Sequence, residues 1–266
     1  MSKSLTSTAL AEVTLPDGRQ ILAPHAQQAQ FLWQSVSLDP YYGAGADLLA
    51  PGDVVLDIGA NIGLTSLRFV AAVPDLRVIA VEPAAASYQA LAVNLTRHAQ
   101  RATAVQAAVG SQCGTGELTY YPDSPANSTL HADFADTVRI GQTLLRNLGL
   151  PTAARSQRER AVVAKFQHAR TTAVPITTVA ALFTRYELDR VALLKIDVER
   201  AELAVLGGVG GANWPRIDRV VAEVHDVDDR LNEVARLLTA HGYDVRTEQE
   251  PIMAGTNLYM VVAKRS

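Results

Sequence analysis

Acidic side chains recur after apolar runs in this chain: Asp57 in "VVLDIG", Glu82 in "LRVIAVEP", Asp197 and Glu199 in "VALLKIDVE", and Glu223 and Asp226 with His225 in "VVAEVHD". Each run reads as a buried strand, so each acid falls where a parallel sheet presents its carboxyl ends to a ligand. Carboxylates and an imidazole gathered there would hold hydroxyls or cationic groups and would take or give protons. Between the first strand and the residues that follow lies the turn Asp57-Ile58-Gly59-Ala60-Asn61-Ile62-Gly63. Gly59 and Gly63 suit a tight turn with close backbone approach, and Asn61 is the non-glycine type best able to adopt a left-handed conformation.

Two ligands compete for such a turn. A dinucleotide turn, G-x-G-x-x-G, seats pyrophosphate on a helix N-terminus. Asp57 at the mouth would repel pyrophosphate and would suit a ligand carrying an ammonium and a sulfonium, which describes S-adenosylmethionine. Glu82, stopped by Pro83, would accept hydrogen bonds from ribose hydroxyls, a device that NAD sites share. At the end of the third strand, read as "ATAVQAAVG", Gln106, Ala107 and Ala108 are small and polar enough to flank an adenine edge. The structural alternatives are an ordinary turn, a helix N-cap at Asp57, and helix-dipole complements at Glu199 and Glu202.

The elements that must position these residues alternate strand and helix from Asp53 onward, which predicts an α/β fold with a parallel sheet and helices on both faces. Residues 1–50 precede it as a hairpin turning at Pro16-Asp17-Gly18 and a helix over "HAQQAQFLWQSV"; residues 51–266 form the main domain. The alternation breaks after Tyr121. Residues 122–170 read as a lid-like helical insertion whose Leu130, Phe134, Leu144, Leu145, Leu148, Leu150 and Phe166 exceed what a solvated loop needs. The end, "YDVRTEQE" and "LYMVVAKR", predicts an antiparallel close to the sheet.

The motifs "DIGANIG", Glu82-Pro83, "LLKIDVERAE" and "EVHD" occur in the order found in the FkbM family of methyltransferases, and the resemblance covers nearly the whole chain. "YYPDSPANSTLHAD" and "EQEPIMAGTNLYMVVAKR" are similar to its founding members, O-methyltransferases of macrolactone biosynthesis. Many members carry glycine after the D-x-E motif, where this chain has Arg200 and the founding members also carry a basic residue. The resemblance implies a Rossmann-like class I methyltransferase sheet of order 3-2-1-4-5-7-6. It also implies transfer of a methyl group from S-adenosylmethionine to a hydroxyl, or less often a carboxylate, of a polyketide, peptide or glycosylated natural product. A non-catalytic adenosylmethionine-binding partner protein is the alternative from another class.

An alcohol is a poor nucleophile at neutral pH, so a base would help. His225 and Asp197 are the candidates, with His131 and Asp133 of the insertion behind them. Asp197, Glu223 and Asp226 also offer hard oxygen ligands to magnesium, which would acidify a hydroxyl. The chain has 266 residues, is 48% hydrophobic and 19% charged, and carries a net charge of -3, a globular composition that argues against wholesale binding to nucleic acid or anionic membrane. One cysteine, Cys113, leaves no intrachain disulfide, and no apolar run reaches membrane-spanning length; a cytoplasmic protein is expected, and a homodimer is compatible with this composition.

Overall fold

The structure, a computed structural model, describes residues 10–38, 41, 48–149 and 152–265. Leu150 of the expected insertion and residues 1–9 of the expected extension lie outside the described residues. The extension opens with the antiparallel hairpin β1 (Ala11–Thr14) and β2 (Gln20–Ala23), followed by α1 (Ala26–Leu38). Its turn closes through Gly18, left-handed at φ 86, whose N–H donates to the Leu15 carbonyl at 2.9 Å.

The main sheet contains β3 (Val54–Ile58), β4 (Arg77–Val81), β5 (Ala102–Val105), β9 (Leu193–Ile196), β10 (Arg219–His225), β11 (Tyr243–Glu248) and β12 (Leu258–Arg265). Its spatial order is β11-β12-β10-β9-β3-β4-β5. Numbered within the sheet and read from β5, that is 3-2-1-4-5-7-6, the expected order. β12 alone runs antiparallel, pairing with β10 and β11. The strands are apolar on both faces because both are covered. Val55, Val78 and Ala80 face α2 (Leu64–Ala72), α3 (Ala85–His98) and the extension, packing with Leu67, Phe69, Leu91 and Trp33. Leu56, Ile79 and Val81 face the other way, toward α6 (Val179–Arg185), α7 (Glu202–Gly207) and α8 (Arg230–Ala240), where Leu182, Val205 and Val234 are buried. Each buried valine, leucine, isoleucine or phenylalanine side chain among them contributes about 1.5–3 kcal/mol of burial.

The region after the third strand differs from expectation. "ATAVQAAVG" is not one strand. β5 ends at Val105, and β6 (Ala108–Val109) turns into a second sheet with β7 (Gly114–Tyr120) and β8 (Arg170–Thr177), in the order β6-β8-β7. β7 and β8 pair antiparallel from Gly114 opposite Ile176 to Tyr120 opposite Arg170. The helices α4 (Phe134–Asn147) and α5 (Thr152–Lys165) therefore hang from a β-ribbon, not from a loop. Leu118 and Val174 of that ribbon pack with Ala84 and Ala108, which anchors it beside the carboxyl ends of β4 and β5. Neither ribbon strand stands out by hydrophobicity, because one face of each is exposed.

Candidate active site

The carboxyl ends of β3, β4, β9 and β10 converge on a cavity of about 1010 Å³. At its base the glycine turn adopts the conformations its residues suggest: Gly59 at φ 78, Asn61 at φ 50 and Gly63 at φ 90. The two glycines are needed for different reasons. A Cβ on Gly59 would lie 1.6 Å from the Asp197 carbonyl oxygen, so this position lets β3 and β9 end in contact. A Cβ on Gly63 would lie 2.8 Å from Leu91 of α3; Gly63 serves helix packing and is not part of the cavity wall.

Glu82 ends β4 and lines the cavity with Pro83, Ala107 and Ala108. Its Oε2 accepts from the Asn61 N–H at 2.9 Å and its Oε1 from the Ala84 N–H at 2.8 Å. Burial pushes its pKa up to about 7 against those hydrogen bonds.

Asp57 is placed differently from expectation. It is fully buried behind the turn and is not on the cavity wall. Its Oδ2 accepts from Ser66 Oγ at 2.6 Å, and its Oδ1 lies 3.1 Å from Lys195 Nζ. Lys195, opposite Asp57 in the register of β9 and β3, also donates to the Gly59 carbonyl at 3.0 Å and lies 3.5 Å from Asp197. Asp57 thus acts through Lys195, which braces the turn against β9. The strand-end pattern passes over Lys195; its signal is a lone charge inside the otherwise apolar "VALLKI".

Asp197, Glu199, Glu223 and His225 all line the cavity. His225 is buried between two carboxylates, with Nε2 3.3 Å from Glu199 Oε2 and Nδ1 3.2 Å from Glu202 Oε1. Although burial disfavours its charge, these two partners raise its pKa to about 10. At neutral pH it is an imidazolium with both nitrogens protonated, which leaves no lone pair to accept a proton. Glu223 follows Ala222, which pairs with Ile196, so it stands beside Asp197 across adjacent strands. Burial, then the Asp197 and Glu199 charges, raise Glu223 to about 8. Burial also raises Asp197, opposed by Lys195.

The remaining expected site residues lie elsewhere. Asp226 is off the cavity wall, where its Oδ1 accepts from the Leu231 N–H at 3.1 Å at the start of α8. Asp197, Glu223 and Asp226 therefore do not converge, and among the described residues no group of three or more His, Cys, Asp or Glu side chains could hold a metal ion. His131 and Asp133 are exposed and off the wall; Asp133 caps α4, accepting from the Asp136 N–H at 2.9 Å. Of the insertion's apolar residues, Leu130, Leu144, Leu145, Leu148 and Phe166 line the cavity, joined by Ile140 and Val162. Phe134 is 47% exposed and faces away from it.

The residues present fit S-adenosylmethionine. Glu82 retains lone pairs beyond its two backbone donors, and the carboxylates Asp197 and Glu199 on the wall suit a cationic ligand better than a pyrophosphate. A sheet of this order, with a glycine turn after its first strand and an acid ending its second, defines a class I, Rossmann-like methyltransferase. The methyltransferase FkbM domain model matches residues 57–245. The chain belongs to the FkbM family of S-adenosylmethionine-dependent methyltransferases. It is 38% identical over 264 residues to the 31-O-demethyl-FK506 methyltransferase FkbM of Streptomyces tacrolimicus, a match covering 98% of this chain and 99% of that protein. It is 30% identical over 248 residues to methyltransferase sdnD of Sordaria araneosa, covering 90% of each. It is also 30% identical over 263 residues, 96% of this chain, to a stretch making up 12% of the AMB antimetabolite synthetase AmbE of Pseudomonas aeruginosa. Among the described residues no helix is long and apolar enough to cross a membrane.

Proposed function

We propose that this methyltransferase acts on a hydroxyl oxygen of a small-molecule natural product (a polyketide, peptide or glycoside) in secondary-metabolite biosynthesis. The carrying observation is the lining of one large cavity, which brings the turn and Glu82, the carboxylates Asp197 and Glu223, and the insertion's apolar Leu130, Ile140, Leu144, Leu145 and Phe166 to a single space. Its volume of about 1010 Å³ matches the upper end of small-molecule sites, roughly 300–1,000 Å³, which leaves room for an acceptor beside a cofactor. The full-length likeness to a protein named for a 31-O-demethyl substrate supports an oxygen acceptor.

S-adenosylmethionine, when bound, supplies a methyl group activated by its sulfonium. Glu82, the Gly59 to Asn61 turn, Pro83, Ala107 and Ala108 would hold it. The chain's own tasks are to hold the acceptor oxygen in line, exclude water and accept one proton. We assign the proton to Asp197 Oδ. Its side chain is about one-third exposed, at 36%, and Lys195, 3.5 Å away, favours its anionic form against the burial that raises its pKa. His225 positions Glu199.

The test is turnover with S-adenosylmethionine and a panel of hydroxylated macrolactones, peptides and glycosides, followed by mass spectrometry. The expected product gains one CH2 and keeps it through mild alkali, as a methyl ether does. A product that loses that CH2 as methanol in mild alkali would be a methyl ester and would replace the hydroxyl assignment. Cofactor binding without turnover of any acceptor class would favour a non-catalytic partner protein.

A further inference from the structure

The loop after β9 contains two consecutive non-glycine residues in left-handed conformations, Glu199 at φ 52 and Arg200 at φ 82. Neither is a residue type that adopts this region readily, and each costs on the order of 1–3 kcal/mol unless its surroundings hold it there. The holding contacts come from the insertion. Thr129 Oγ1 donates to the Glu199 carbonyl, and Asn127 Nδ2 donates to Glu199 Oε1 at 3.2 Å. Arg200 is buried, and its Nη2 donates to Asp136 Oδ2 at 2.9 Å and to Thr137 Oγ1 at 3.1 Å, both on α4. Asp136 is shared further: Asn257 Nδ2 donates to the same oxygen at 3.1 Å, and Arg139 pairs with the other. The Arg200 N–H donates to Glu202 Oε1 at 2.7 Å, the oxygen that also meets His225.

One chain of contacts thus runs from α4 through Arg200 to the acidic loop. We propose that Arg200 is a positioning residue, whose buried ion pair with Asp136 makes the shape of the loop carrying Asp197 and Glu199 depend on docking of the insertion over the acceptor end of the cavity. The proposal rests on the reading of that end as the acceptor site. It also gives a reason for a bulky cation where the backbone conformation favours glycine: the guanidinium replaces conformational ease with a tie to the insertion. Desolvation raises the Asp136 pKa, but Arg200 and its other hydrogen-bond donors outweigh this and bring it to about 2, so the tie stays charged across the working pH range.

Arg200→Gly separates the two effects. Glycine accepts φ 82 without strain, so the loop loses only its tie. Hydrogen exchange of the ligand-free protein should show α4 amides, residues 134–147, exchanging about tenfold faster or more, the scale of losing one partner of a buried pair. Asp136→Asn should give the same pattern, and serves if the first variant folds poorly. Adenosylmethionine affinity by calorimetry should change by less than about twofold, while the KM of the acceptor rises more than kcat falls. Unchanged exchange in α4 with an unchanged KM would overturn the proposal, as would loss of cofactor affinity in step with KM. Exchange in α4 reports on the tie without any acceptor. Faster exchange in an enzyme that turns over no acceptor would therefore uphold the tie and refute the acceptor reading alone.

Discussion

At the scale of single residues, the site is governed by which charges are buried together. His225 carries a positive charge because Glu199 and Glu202 flank it. Its folded pKa of about 10 exceeds the ordinary 6.5, so the stabilisation is fully present below pH 6.5 and is lost as pH rises through about 10. Imidazole resonances followed by NMR should show His225 still protonated at pH 8; a midpoint near 6.5 would restore it as a base. Replacing it with glutamine should cost about 3–5 kcal/mol in urea unfolding at neutral pH, because two carboxylates lose their shared cation. The two acids first associated with the cofactor should also behave differently. Glu82→Ala should weaken adenosylmethionine binding by about 1–3 kcal/mol in titration calorimetry while leaving the fold intact. Asp57→Ala removes a buried partner of Lys195 and should lower the melting temperature in the ligand-free protein as well. Equal melting temperatures for wild type and Asp57→Ala would contradict the bracing role.

At the scale of elements, helix α4 divides its faces between solvent and cavity. Thr137, Ile140, Leu144 and Leu145 line the cavity, whereas Phe134 at the first turn points outward. Leu145→Ala should raise the acceptor's KM or lower kcat, with adenosylmethionine affinity held within about twofold. Phe134→Ala should leave both parameters near wild type, since no cavity contact is lost. Steady-state kinetics on the pair checks the orientation of the helix; equal losses would mean that α4 is rotated relative to this arrangement. The insertion hangs from the ribbon β7–β8, which fixes both ends of the excursion in a sheet while leaving α4 and α5 to shape the wall.

At the scale of the molecule, the N-terminal extension is joined to the sheet and not appended to it. Val13, Leu15, Ile21, Ala29 and Trp33 belong to the same buried cluster as Val55, Leu67 and Leu91. Asn94 of α3 links three parts of the chain: its Oδ1 accepts from the Leu22 N–H at 2.7 Å, and its Nδ2 donates to the carbonyls of Leu22 and Ile62, each at 2.9 Å. Asn94→Ala leaves those buried backbone groups without their partner. It should cost about 1–3 kcal/mol in denaturant unfolding as a single transition. A separate early transition of the extension would show that residues before the sheet fold as their own unit.

The strands and the strand-end acids were legible in the sequence because each depends on short-range pattern; the strand order came only from the resemblance to the FkbM family. Apolar runs of strand length mark buried strands, and an acid at the end of each run marks the ligand edge. Asn61 in the turn likewise declared its left-handed conformation by residue type. The second sheet was not legible, because β7 and β8 pair across some fifty intervening residues and bury only part of one face. Nor could local pattern turn Asp57 toward Lys195, Gly63 toward Leu91 or Phe134 toward solvent. Those directions follow from neighbours brought in by packing. The charge of His225 was hidden for the same reason: its type suggests a base, but Glu199 and Glu202 at 3.3 and 3.2 Å make the protonated form the stable one. Sequence determined which groups reach the ligand edge; tertiary structure decided which of them face the cavity and which are already neutralised, because desolvation and Coulomb attraction act between residues distant in the chain.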